Sequence, residues 1–295
     1  MVNLTICRPV LIETHQQMVI SALNIPLSLT AFLGNLLIIA VLQKPSSLHP
    51  PSQLLLGCLA STDLSVGLII QPLFAINLMS SEHYKRCYYV QLLVHGIGAI
   101  FCGVSLLTMT AISVDRLLAL MLGLRYRQVV TLKRVWVLVA SLWLLNVLIS
   151  VVFFHNADIF LTLICIELLL CIIISSSCYS KIFLILREHQ TQVRDHVHQQ
   201  QLTGEIPINI ARYKKTVSSA LWVQTVCLVS YVPFGLTTAV FVVTGLLTPS
   251  LYLAMCVTFS LVLSNSSLNP FLYCWKMREV RQAVKDTIRG FFCSS

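Results

Sequence analysis

Two carboxylates stand alone among apolar neighbours. Asp63 closes the stretch Leu59-Ala60-Ser61-Thr62-Asp63, and Glu167 has no basic residue near it in sequence. A charge inside hydrocarbon is costly, so each position is a candidate for function. Asn35, Ser105, Asn265, Ser266 and Asn269 fall in other apolar runs. Polar groups at membrane depth must find one another or water. Gathered round Asp63, the hydroxyl and amide oxygens of Ser105, Asn265, Ser266 and Asn269 would suit a small hard cation, sodium being the fitting one, although a structural hydrogen-bond network is the plainer alternative. No cofactor is expected beyond such an allosteric sodium ion. A structural metal site and an enzyme are not expected: His189, His196 and His198 stand in a polar stretch, and no nucleophile–base motif appears in the apolar runs.

The elements that must position these residues are helices in a bilayer. The 295-residue chain is 57% hydrophobic and 11% charged, against about 25% charged in a soluble domain. Seven apolar runs are long enough to span: Met18–Leu42, Ser52–Met79, Cys87–Leu122, Val135–His155, Asp158–Leu186, Ala211–Gly245 and Ser250–Trp275. The third and sixth exceed the bilayer thickness, so their ends should project as helix. The polar stretch from Arg187 to Arg212 reads as a loop. After Trp275, Met277, Val280, Val284 and Ile288 recur at helical spacing, which predicts a short amphipathic helix on the membrane surface. The fold class is therefore all-α integral membrane, a seven-transmembrane helix bundle with a C-terminal amphipathic surface helix. Its divisions are an extracellular N-terminus (1–17), the seven-span domain (18–275) and the surface helix with tail (276–295).

The net charge of +9 marks orientation. All of the 20 Lys and Arg residues except Arg8, Lys85 and Arg86 fall on one set of connectors, which places that set in the cytoplasm and the N-terminus outside. The first span then acts as its own insertion signal, with no cleaved signal peptide expected. Nothing in this pattern binds nucleic acid; the partner of the basic face is the anionic lipid surface. Asn3-Leu4-Thr5 is a glycosylation candidate on the outside, and Cys293 is either a palmitoylation candidate or a free thiol. Pro233 in the sixth run and Pro270 in the seventh each remove a backbone hydrogen bond and make a hinge. The absence of an internal repeat or a continuous polar lining weighs against the alternative, a small-solute transporter or channel.

Together these residues resemble the rhodopsin-like (class A) G-protein-coupled receptors over nearly the whole chain. Gly34-Asn35 stands in the first span, Leu59-Ala60 with Asp63 in the second, and Ser105 with Asp115-Arg116 in the third. Trp143, Tyr179 and Pro233 follow in the next three, and Asn269-Pro270-Phe271-Leu272-Tyr273 closes the seventh. The resemblance implies a plasma-membrane receptor that takes an extracellular small-molecule or peptide ligand and activates heterotrimeric G proteins. It implies that Asp115 pairs with Arg116 at rest, that the sixth helix opens about Pro233 beside Tyr231, and that Tyr179 and Tyr273 bridge in the open state. Asn269 and Pro270 belong to the same switch. The short link around His155–Asp158, Cys171 in place of the fifth-span proline, and Leu124-Arg125-Tyr126 … Val130-Thr131 … Arg134 are similar to the melanocortin, adenosine and cannabinoid branch. The acids of a melanocortin pocket are not matched; Leu73, Gln91 and His95 occupy that region.

Three departures carry consequences. Leu117 replaces the tyrosine after Asp-Arg, Tyr231 replaces the sixth-span tryptophan, and Tyr213 replaces the acid that often restrains the base of that span. The last change predicts raised basal activity. The usual loop disulfide has no cysteine to form from; Cys7 and Cys87 could bridge instead, with Cys256 a rival partner. Gly98 stands where amine receptors carry an aspartate, and no lysine is available in the seventh span for a retinal Schiff base. By helical spacing the outer cavity is faced by Gln91, His95, Gly98, Glu167, Tyr231, Phe234 and Ser264. Glu167 could meet a cationic ligand group, and His95 could add a pH-dependent contact.

Overall fold

The computed structural model describes residues 13–43, 49–79, 84–200, 209–276 and 281, with side chains described outside 84–89, 189–200, 209–224 and 272–276. Among the described residues the chain is helical throughout, and seven helices are long and apolar enough to cross a membrane. They are α1 (Thr14–Leu42), α2 (Pro50–Met79), α3 (Tyr84–Leu122), α4 (Leu132–His155), α5 (Ala157–Gln200), α6 (Asn209–Thr244) and α7 (Pro249–Lys276). A one-turn loop helix, Tyr126–Val129, links α3 to α4.

Local chemistry sets the ends. Prolines at the first helical positions open α2 and α7, where their missing N–H is no loss. Thr248 Oγ1 accepts from Leu251 N at 3.2 Å at the start of α7. A single residue, Asn156, separates α4 from α5; its Oδ1 accepts from Asp158 N at 2.9 Å and Ile159 N at 3.1 Å. One extended, capped residue thus makes the whole turn.

The largest departure from the sequence reading is α5. It runs 44 residues, through the polar stretch after Leu186 to Gln200, about 66 Å at helical rise. Arg, Glu and Gln favour helix, and no Gly or Pro interrupts before Gly204, so polarity alone did not end it. A π turn, Val66–Ile70, sits in α2 just before Pro72, where a widened turn accommodates the missing N–H. The surface helix expected after Trp275, and Asn3, Cys7 and Cys293, lie outside the described residues.

The bundle inverts the soluble pattern. Leu144, Leu148, Leu169, Ile173, Leu236 and Phe271 face outward, while Asn35, Asp63, Ser105, Asn146, Asn265 and Asn269 are buried. Outward apolar side chains meet lipid, and inward polar ones must satisfy each other. α1 and α7 approach closely at Gly34: a Cβ there would stand 2.8 Å from Pro270 Cγ, so only glycine admits the Asn269-Pro270 segment at this depth. Four helices therefore reach the Asp63 region: α1, α2, α3 and α7.

Candidate functional site

Asp63 is fully buried at the centre of that region. Ser105 Oγ of α3 and Ser266 Oγ of α7 each donate to Asp63 Oδ1 at 2.8 Å, and Asn269 Nδ2 donates to Oδ2 at 2.6 Å. Charge-assisted bonds of this kind are the strong ones. Asn35 adds a brace, donating from Nδ2 to Ala31 O at 2.8 Å and Ser266 O at 3.0 Å. Sequence reasoning brought Asn265 to the carboxylate as well, and here the structure differs. Asn265 Nδ2 donates to Met109 Sδ at 3.2 Å, one helical step off the face that meets Asp63. The Oδ1 atoms of Asn35 and Asn265 are buried with no hydrogen-bond partner. The Asp63 Oδ1, Ser105 and Ser266 oxygens are a donor set that fits a small hard cation. Among the described residues no His/Cys/Asp/Glu group of a size to hold a transition metal occurs.

Near the C-terminal end of α3, Asp115 is buried and Arg116 exposed. The expected pairing of the two is not formed among the described residues. Consecutive residues on a helix point about 100° apart and do not face each other. Asp115 instead accepts from two hydroxyls: Tyr126 of the loop helix to Oδ1 at 2.5 Å, and Ser52 of α2 to Oδ2 at 3.0 Å. Ser52 Oγ and Tyr126 OH lie 3.2 Å apart and close the triangle. Tyr179 of α5 is buried against Leu117 and Leu120, with Ser113 and Arg116 as its polar neighbours on α3. Tyr273 stands on α7, its side chain outside those described.

Towards the other face, α2, α3, α4, α5, α6 and α7 enclose a cavity of about 140 Å³. Gln91, His95, Gly98, Glu167, Tyr231 and Phe234 all line it, as their helical spacing predicted. Ser264 does not; its hydroxyl turns back to Leu261 O at 2.7 Å on the outer side of α7. The rest of the wall is mostly aliphatic, with six aromatic residues set into it. Phe153 of α4 and Phe160 of α5 meet edge-on at 5.0 Å, and Phe259 of α7 contacts Phe74 at 5.1 Å and Phe234 at 5.6 Å. His95 stacks 5.9 Å from Phe153. Cys256 lines the same wall as a free thiol rather than a disulfide partner.

Two groups escaped sequence reasoning. Asn146 of α4 is buried beside Glu167 and hydrogen-bonds its carboxyl group. It fits only because residue 103 is glycine: a Cβ there would collide with Asn146 Oδ1 and stand 3.4 Å from Glu167 Oε1. An asparagine in an apolar run was the available signal. The Ser52–Tyr126 pair gave less warning, since both residues lie near the membrane boundary where hydroxyls are common.

Comparison with known proteins agrees with this geometry. Residues 34–160 match the family model described as 7 transmembrane receptor (rhodopsin family). The chain is also similar to adenosine receptor A3 of Ovis aries, 26% identical over 286 residues, which is 88% of this chain and 86% of that receptor.

Proposed function

We propose that this chain, a rhodopsin-like seven-helix receptor near the adenosine-receptor branch, binds an extracellular ligand in its aromatic cavity and activates a heterotrimeric G protein through opening of α6. The observation that carries the reading is the order of sites along α3. Cavity-lining positions run from Gln91 to Leu106, Ser105 grips Asp63, and Asp115-Arg116 follow ten residues later, about 15 Å on. One rigid helix therefore touches the ligand site, the polar core and the cytoplasmic end. Two sites joined by a body with two arrangements are what allosteric coupling needs.

In mechanism, Tyr231 is both cavity wall and a member of the buried cluster with Leu59, Leu106, Met109 and Val262. A ligand that prefers the arrangement with α6 swung about Pro233 shifts the population towards it; a ligand indifferent to the two arrangements does nothing. Arg116, exposed and unpaired with Asp115, is already presented to the cytoplasmic side for a protein partner. Asp63, Ser105 and Ser266 would hold a sodium ion in the arrangement that keeps the polar core contracted. The basic connectors support a cytoplasmic position for this end and an extracellular N-terminus.

The test is nucleotide exchange with the full chain in lipid nanodiscs and purified heterotrimers of several classes. Exchange on at least one heterotrimer, lost in Arg116→Ala, is the expected result. No exchange on any, together with substrate flux in vesicles, would establish the transporter alternative instead.

A further inference from the structure

Two buried carboxylates of this chain differ in completeness. Asp63 has three hydrogen-bond donors on two oxygens. Glu167 has Asn146 on its carboxyl group, and its Oε1 is buried with no hydrogen-bond partner while the residue lines the cavity. An ionised carboxylate out of water calls for a counter-charge and donors. The cavity wall provides no lysine or arginine to supply them. What it provides is aromatic surface, from Phe153, Phe160, Tyr231 and Phe234 among others, and aromatic faces attract cations.

We infer that the cavity takes a small organic cation, a protonated amine on an apolar or aromatic body, with Glu167 of α5 as its counter-ion. The inference rests on the cavity being the ligand site proposed above. Space is consistent with it. Midway along the α3 side of the cavity, between His95 and Leu106, stand the small residues Gly98, Ala99, Cys102 and Gly103, which leave room there. The volume of about 140 Å³ is close to that of an engineered apolar cavity of roughly 150 Å³ that admits benzene. One ring and a short aminoalkyl arm fill it, and a folded peptide does not. The Gly103–Asn146 fit is part of the same site: Asn146 stands beside the carboxyl group, and Oε1 is left for the ligand's N–H.

The probe is 2-phenylethylamine, with 2-phenylethanol as its uncharged counterpart, and binding is read directly by saturation-transfer NMR and thermal shift on the full chain in nanodiscs. The amine is expected to bind and the alcohol to bind at least tenfold more weakly. Glu167→Gln, nearly isosteric, should weaken the amine by thirtyfold or more and leave the alcohol unchanged, because truncating a buried charge pair is among the largest single effects at an interface. Glu167→Asp, which keeps the charge on a shorter arm, should fall between. Equal amine affinity in wild type and Glu167→Gln overturns the inference, as does an alcohol that binds as tightly as the amine, or an amine that shows no binding at millimolar concentration. Amine binding without nucleotide exchange leaves this site standing, because a ligand indifferent to the two arrangements shifts neither; the receptor mechanism is tested separately by exchange in wild type against Arg116→Ala.

Discussion

Replacing Tyr126 by phenylalanine removes one hydroxyl and nothing else from the Asp115–Ser52–Tyr126 triangle. Asp115 is buried, and its two acceptor bonds come from Tyr126 at 2.5 Å and Ser52 at 3.0 Å. A hydrogen bond to a buried charged group contributes about 1.5–3 kcal/mol. If the triangle belongs to the resting arrangement, losing about 2 kcal/mol there multiplies the ratio of active to resting receptor by about 30. Starting from a typical minor population of about 1%, the active fraction becomes about a quarter. The assay is agonist-free nucleotide exchange on the nanodisc-embedded chain, with thermal unfolding measured in parallel. Tyr126→Phe should raise basal exchange by up to about twentyfold on this arithmetic and lower the unfolding temperature modestly. Ser52→Ala should act in the same direction but less, since its bond is longer. Because Ser52 and Tyr126 also touch at 3.2 Å, the double variant should be non-additive. A lowered unfolding temperature with unchanged basal exchange would refute the reasoning: the triangle would then be equally present in both arrangements, bracing the fold without biasing the switch.

The other predictions concern the core and the helix contacts. Sodium should raise the unfolding temperature of the wild-type chain relative to choline at equal ionic strength, by mass action on a site only the folded chain offers; Asp63→Asn should abolish the difference, and a difference that survives would remove the ion from this site. Gly103→Ala forces a methyl into Asn146 and should destabilise by about 1–3 kcal/mol, with Gly103→Ala/Asn146→Ala recovering part of the loss in the same unfolding assay. Asn156→Ala deletes the cap shared by Asp158 and Ile159 N–H and should cost about 1 kcal/mol, readable as local hydrogen exchange at the start of α5. Tyr213→Glu should lower agonist-free exchange by restoring an acid at the base of α6; equal exchange in the two chains would remove that account of basal activity.

How much of this was legible depended on the range of the physics involved. Span number and the partners of Asp63 followed from hydropathy and from the rule that polar groups in lipid must meet; Ser105, Ser266 and Asn269 all arrived where expected. Cavity facings also followed, because helical spacing fixes angles, and six of the seven named residues line it. What failed were features decided by one turn of helix or one rotamer. Ser264 and Asn265 precede Ser266 by two residues and one, so they point about 160° and about 100° away from it, one outward and one to Met109. The Asp115–Arg116 pairing failed for the same reason, adjacent positions being unable to share a face. The length of α5 was missed because helix does not stop where hydrophobicity does: Arg187 to Gln200 is polar and helix-favouring at once.

Asp63 and Glu167 looked alike in sequence, each an isolated acid in an apolar run. Burial separates them only in degree: Asp63 is fully buried, and Glu167 is half-buried with its Oε1 out of solvent. Satisfaction separates them in kind. A carboxylate whose acceptor sites are filled by helices on several sides resists separation of those helices, and so suits a junction that must hold α2, α3 and α7 in one of two registers. A carboxylate with a buried empty acceptor position is a standing penalty of about 1–3 kcal/mol or more if charged, and a fold keeps such a penalty only where something else removes it. Nothing on α3 can do so: the nearest position is Gly103, and a side chain there would displace Asn146. The partner must therefore come from the cavity, whose lining among the described residues carries no lysine or arginine. On this argument the unsatisfied acid marks the ligand site and the satisfied acid marks the hinge it acts upon. Their connection runs through α3, which carries both Gly103 beside the first and Ser105 on the second, two residues apart.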